Sequence, residues 1–392
     1  MGVSERIGRY IENSSWIRRM FEEGIRLKKL YGNNEVLDFT LGNPDLEAPI
    51  EVKEALEELI KNYDPKIHGY MPNAGREDFR TAVAEKVSRE QGLKVPPENI
   101  IATCGAAGGI NIVLKTILDE GEKVLFPSPY FVEYFFYVEN HSGIPCPVET
   151  NEDFTLNTEN FEKLIDSNTR AIILNSPNNP TGQVYSKESI QQLVELLKLK
   201  NKDNKRPIYI ISDEPYRNII FENERVPSIM ELYEYTFVVS SFSKELSLAG
   251  ERIGYVAVHP EIDDLDRIMD GLILSNRILG FVNAPNLSQI IVKHCINSKV
   301  KVEVYKKRME LLCKILEEVG IEFVKPKGGL FVFPRVPIDD IEFCNLLREE
   351  LVLAVPGRGF GRKNHIRLAI CVDLPIIEKL KNKLERVMKK VR

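Results

Sequence analysis

Lys244 stands in Ser241-Phe242-Ser243-Lys244, directly after an apolar run at 236–240. A neutral lysine amine is a nucleophile toward carbonyl carbons. Alone, such a residue reads as a solvated loop lysine. Its neighbours argue otherwise. Ser241, Ser243 and Arg252 are phosphate-type ligands, two hydroxyls and a fixed guanidinium fork. Arg252 lies in Gly250-Glu251-Arg252-Ile253-Gly254, where small residues permit close backbone approach. A second anion cradle is Thr103-Cys104-Gly105-Ala106-Ala107-Gly108-Gly109, which opens a helical run at 110–118. Small residues at a helix N-terminus expose backbone N–H groups to an anion. Asp213, in Asp213-Glu214-Pro215-Tyr216, ends another apolar run and reads as a charge aimed into a site. Ser176-Pro177-Asn178-Asn179-Pro180-Thr181-Gly182 is a stiff loop able to present Asn179 in one pose. Gly357-x-Gly359-x-Gly361 lacks the dinucleotide-binding spacing, and no strand plainly feeds it.

These residues need elements to position them. Short β-branched runs at 100–103, 123–126, 171–174, 207–212, 236–240 and 254–258 predict strands. Between them lie amphipathic helices such as 188–200, with Ile190, Leu193, Leu196 and Leu197 on one face. The alternation predicts an α/β fold, a mostly parallel sheet between helices. Such sheets bind ligands at the carboxyl ends of their strands, where the residues above fall. The tail reads as a smaller α+β unit. It has a long helix at 302–319, a break at Gly328-Gly329, strands at 330–334 and 365–369, and helices near 341–351 and 375–390. The N-terminal stretch predicts a helix through Ile7, Tyr10, Ile11, Trp16, Ile17 and Met20, then a strand at 36–40, packed on the tail. The expected division is a large domain at 46–285 and a small one built from 1–45 and 286–392.

Composition removes other classes. With 392 residues, a net charge of −5 and 43% hydrophobic residues, the chain is globular and not basic enough to bind nucleic acid. The segment before Leu41 holds no basic recognition helix, which argues against a DNA-binding regulator. No run of 18 apolar residues predicts a membrane span. The six cysteines show no C-x-x-C pair and the five histidines no ligand spacing, so no metal site is expected. Charges at Glu5, Arg6 and Arg9 and no apolar stretch among the first residues point to a cytoplasmic protein.

One lysine, one acid, one amide, one phenol and phosphate donors at the ends of parallel strands are the parts needed to use pyridoxal 5′-phosphate. The chain resembles the fold-type-I, class I/II aminotransferases. The resemblance runs from Leu41-Gly42-Asn43-Pro44 to Ile366-Arg367-Leu368 and is carried by Asn179-Pro180-Thr181-Gly182, Asp213-Glu214-Pro215-Tyr216 and Ser241-Phe242-Ser243-Lys244 with Arg252. It implies a large domain built on a seven-stranded-type sheet, and ping-pong transfer of an α-amino group from an L-amino acid to a 2-oxo acid. It further implies that Lys244 holds the cofactor as a Schiff base and shuttles the proton. Asp213 would pair with the pyridine nitrogen, and Asn179 and Tyr216 with the ring oxygen. Phosphate contacts would come from Ser241, Ser243, Arg252 and the backbone of Gly105, Ala106 and Ala107. Phe131 would stack on the ring, with Tyr130 competing, while Arg367 would bind the substrate carboxylate beside Gly42 and Asn179. Tyr70 would reach the phosphate of a partner subunit, implying a homodimer with shared sites. Arg277 lies in a plausible region for a second, distal-carboxylate arginine but fits no motif securely, so dicarboxylate specificity is not read from it. A C–S β-lyase on the same scaffold would share all these residues.

Overall fold

The computed structural model describes residues 2–12, 16–222 and 224–391. Its strands are β1 (Leu37–Asp38), β2 (Ile100–Thr103), β3 (Lys123–Ser128), β4 (Ile144–Glu149), β5 (Thr169–Asn175), β6 (Tyr209–Asp213), β7 (Thr236–Ser241), β8 (Gly254–Val258), β9 (Phe331–Val332), β10 (Val352–Leu353), β11 (Val355–Pro356) and β12 (Ile366–Ala369). Seven form the main sheet, in the order β2-β8-β7-β6-β5-β3-β4. All neighbours within it are parallel except at β8, which is antiparallel to both β2 and β7.

β5, β6, β7 and β8 are buried along their whole length, as a sheet covered on both faces requires. Ile101, Ile173, Ile211 and Val239 pack on one side with Ile110, Val113 and Leu114 of the helix Gly105–Ile117. Ile172, Leu174 and Ile210 face the other side, against Leu193 and Leu197 of the helix Lys187–Asn201. The six strands predicted for this sheet are all present. β4 is the addition: Pro145 and Pro147 hide it in the sequence, and proline is tolerated there because β4 is an edge strand.

The tail builds a second core. Leu312, Leu316, Phe343, Leu380 and Leu384 from the helices Val302–Val319, Asp340–Glu349 and Leu374–Val391 pack with Val332 and Leu368. β11, β12 and β9 form a three-stranded antiparallel sheet, while β1 pairs with β10 in parallel. The helix Asn286–His294 packs onto the helices Ile50–Lys61 and Glu77–Gln91, so Ile291 and Val292 share a core with Phe79 and Val83.

The N-terminal stretch forms two helices, Glu5–Glu12 and Trp16–Tyr31. The second packs toward the tail, with Leu27 against Val36 and Leu353. The first departs from expectation: it lies on the helix Glu133–Asn140, where Tyr10 bonds Glu139 and meets Phe136 edge-on at 4.8 Å. The side chains of Trp16 and Ile17 fall outside the described residues.

Candidate active site

A cavity of about 380 Å³ opens at the carboxyl ends of β5, β6 and β7. Asp213 is the last residue of β6, in parallel register with Asn175 at the end of β5. Ser241 ends β7, and Lys244 follows one turn later. Gly42, Ala106, Ala107, Phe131, Asn179 and Tyr216 line the same cavity, as do Ser243, Arg252 and Arg367. Two expected residues do not. Gly105 sits just behind the wall, and Tyr70 is 97% exposed at the rim of a separate surface cavity. Arg277 is exposed on the helix Leu265–Ile278 and is not part of the lining.

The lysine is held and tuned. Lys244 Nζ donates to the Gly42 carbonyl oxygen at 2.8 Å. Its pKa is lowered from 10.5 to about 8, by burial first and then by the charges of Arg367 and Arg252, against an opposing push from Cys371. A sizeable neutral fraction is therefore present near neutral pH. Its Nζ also stands 6.0 Å from the Tyr216 ring centroid.

Asp213 is buried and half satisfied. Oδ2 accepts a hydrogen bond from Tyr134, and Oδ1 has no partner. Burial raises the Asp213 pKa from 3.8 to about 7, with Tyr134 pulling the other way. An orphaned buried carboxylate oxygen costs free energy unless a donor meets it, so Asp213 suits a ring N–H. Asn175 supports both walls of this region. Its Nδ2 donates to the Asp213 carbonyl at 2.9 Å, and its Oδ1 accepts from the Asn179 N–H at 2.7 Å.

The anion end fits a phosphate group. No side chain caps the helix Gly105–Ile117, so its first N–H groups remain open. Gly105 has φ +71°, and a Cβ there would come within 2.8 Å of Arg252 Nη2. Glycine thus lets the guanidinium lie over the helix start, beside Ser241 and Ser243. Gly254 does the same for β8, since its Cβ would meet the Ser240 carbonyl at 2.5 Å.

Arg367, from β12, is buried at the opposite end. Nη1 donates to Asn179 Oδ1 at 3.0 Å and Nη2 to the Thr40 carbonyl at 2.6 Å, while Nε is unpartnered. Burial lowers its pKa to about 10, which leaves it charged at neutral pH. Phe131, not Tyr130, faces the cavity; the Tyr130 ring packs against Gly361. Sequence reasoning missed Asn175, Tyr134, Tyr137 and Phe331. Only Asn175 had a signal, a polar residue closing a run of buried aliphatics. Among the described residues, no group of three or more His, Cys, Asp or Glu side chains is arranged to hold a metal.

Comparison with known proteins shows the family. The family Aminotransferase class I and II matches residues 34–384. The aromatic-amino-acid aminotransferase 2 of Thermococcus litoralis is 30% identical, with 99% of each chain covered. The aspartate aminotransferase of Pyrococcus abyssi is likewise 30% identical over 99% of each chain. Among solved structures, an amino transferase from Eubacterium rectale superposes with a TM-score of 0.96 at 35% identity, covering 100% of both chains. Aspartate aminotransferase from Thermus thermophilus with maleate gives 0.87 at 28% identity, covering 99% of this chain and 100% of that one. These relatives favour amino transfer over C–S cleavage. The chain belongs to the class I and II aminotransferases, and it moves an α-amino group from an L-amino acid to a 2-oxo acid by a ping-pong mechanism.

Proposed function

We propose that the cavity at the ends of β5, β6 and β7 is the transamination site and that it works with pyridoxal 5′-phosphate. The observation that carries this is the unpartnered Oδ1 of buried Asp213 in the same cavity as Lys244. When bound, the cofactor supplies a carbonyl carbon for the substrate nitrogen and a ring that draws electrons from the substrate α-carbon. Ser241, Ser243, Arg252 and the N–H groups at Gly105, Ala106 and Ala107 would hold its phosphate. Asp213 would keep a proton on its ring nitrogen, Asn179 and Tyr216 would meet its ring oxygen, and Phe131 would cover a ring face.

Lys244 Nζ would anchor the cofactor covalently. Once displaced by substrate, neutral Nζ would take the proton leaving the substrate α-carbon and carry it to the cofactor's C4′. Its depressed pKa keeps that form available. Arg367 would take the substrate carboxylate, with Gly42 and Asn179 closing the same end. Burial of Arg367 strengthens that pairing, since little water competes.

We further infer a homodimer in which Tyr70 reaches the partner's phosphate site. Its 97% exposure, with Ile60 and Tyr63 also exposed, supports this. The same reading divides the chain into units at 46–285 and at 1–45 with 286–392, the second carrying Arg367, although the helices Glu5–Glu12 and Asn286–His294 pack on the first. Six free cysteines suit a reducing cytoplasm. Aspartate and aromatic amino acids, named for the relatives, are the first donors to screen.

The test is borohydride reduction of the purified yellow protein followed by peptide mapping. The cofactor should be fixed on Lys244, and Lys244→Ala should abolish trapping. Covalent trapping in that variant overturns the assignment.

A further inference from the structure

The glycine-spaced segment Gly357-Arg358-Gly359-Phe360-Gly361 has no task in the site described above. It forms a 3-10 turn, Gly357–Phe360, followed by Gly361 at φ +83°. The turn is fastened at several points. Arg358 pairs with fully buried Asp340 at 2.9 Å. The Tyr130 N–H donates to the Phe360 carbonyl at 3.1 Å. A Cβ at Gly361 would stand 2.5 Å from the Tyr130 ring, so glycine is required for this approach.

These fastenings place Phe360, fully buried, against Arg367. The guanidinium carbon lies 4.7 Å from the Phe360 ring centroid and 4.3 Å from that of Phe331. Nη1 and Nη2 are engaged in the guanidinium plane by Asn179 and Thr40. The two rings approach the guanidinium carbon itself. A guanidinium has five N–H groups, so after two such bonds three remain for a carboxylate. Their aim depends on the orientation of the plane.

We propose that Phe360 is a positioning residue for substrate binding: its ring, with Phe331, fixes the plane of Arg367 so that the remaining N–H groups meet the substrate carboxylate. This rests on the reading that Arg367 binds that carboxylate. Phe331 lines the cavity, but Phe360 does not. A change at Phe360 therefore reaches the substrate through Arg367.

The experiment compares Phe360→Leu with Phe333→Leu in the holoenzyme, using the best donor and acceptor from a screen. Phe333 belongs to the same small cluster and meets Phe360 edge-on at 6.0 Å, which makes it a control for lost packing. Phe360→Leu should raise KM for both amino acid and 2-oxo acid about tenfold, with kcat changed far less and pyridoxal phosphate affinity unchanged. Phe333→Leu should move KM less than about twofold. A KM in Phe360→Leu no higher than in Phe333→Leu overturns the proposal. Arg367→Leu separates the two claims: if it too leaves KM unchanged, the carboxylate assignment is what fails. Should Phe360→Leu not fold, tri- and pentafluorophenylalanine placed at Phe360 keep the shape while weakening the ring face. KM should then climb with fluorine count, and a flat series overturns the proposal.

Discussion

The hydroxyl of Tyr134 donates a hydrogen bond to Oδ2 of Asp213, and Oδ1 of that carboxylate meets no protein donor. Tyr134 also stands edge-on to Phe131, ring centroids 5.6 Å apart. One buried phenol thus braces both the acid proposed for the ring nitrogen and the aromatic proposed for the ring face. Tyr134→Phe keeps the packing and removes only the hydroxyl. A hydrogen bond to a charged group contributes about 1.5–3 kcal/mol, so pyridoxal phosphate should bind the apoenzyme at least about tenfold more weakly. Titration of the apoenzyme followed by fluorescence measures this. Unchanged affinity would show that Tyr134 only fills space.

The raised pKa of Asp213 makes a prediction for the cofactor-free protein. Its carboxyl titrates at 3.8 ordinarily and at about 7 when folded, because burial disfavours the charge. Between those values the folded state holds a proton that the unfolded state has lost. Stability therefore falls as pH rises through that window. Asp213→Asn removes the buried charge. The variant apoenzyme should melt a few degrees above wild type near pH 8, and the gap should close toward pH 4. A gap that is constant with pH would rule out titration of Asp213 as its source.

Gly42 is confined by Phe331. A Cβ at Gly42 would lie 2.3 Å from Phe331 Cζ and 2.7 Å from Cε1. Gly42→Ala should force the ring off Arg367, destabilise the fold by about 1–3 kcal/mol and raise KM. Denaturant melts and steady-state kinetics check both. Wild-type kinetics would mean the ring yields without disturbing the arginine.

Behind the cavity, Lys86 Nζ pairs with Glu90 at 2.9 Å and with Glu245 at 3.1 Å, and Glu245 is next in sequence to Lys244. Lys86→Met would strand a buried carboxylate that burial already pushes toward protonation. The expected cost is about 3–5 kcal/mol. It should be smaller at pH 5 than at pH 8, because a proton on Glu245 relieves it. Urea melts at the two pH values decide.

Much of this was readable beforehand because chemistry and chain punctuation coincide. Asp213, Ser241 and Lys244 follow aliphatic runs whose register alone carries them to one edge of the sheet. β4 was not readable, since Pro145 and Pro147 suppress a strand signal that pairing with β3 restores. Tyr134 sits within an aromatic run, and its function comes from a partner 79 residues away. Phe360 was hidden for a related reason: a ring over a guanidinium leaves no spacing in the sequence. The helix Glu5–Glu12 has an apolar side that could have covered either core, and only Tyr10 meeting Glu139 and Phe136 decides between them.

The bonds closing the cavity join distant parts of the chain: Lys244 to Gly42 across 202 residues, and Arg367 to Thr40 across 327. During synthesis, the cofactor end could assemble well before the arginine emerges. Cofactor loading and substrate competence should thus arise at separate times on the ribosome, the second only when nearly the whole polypeptide is free to fold.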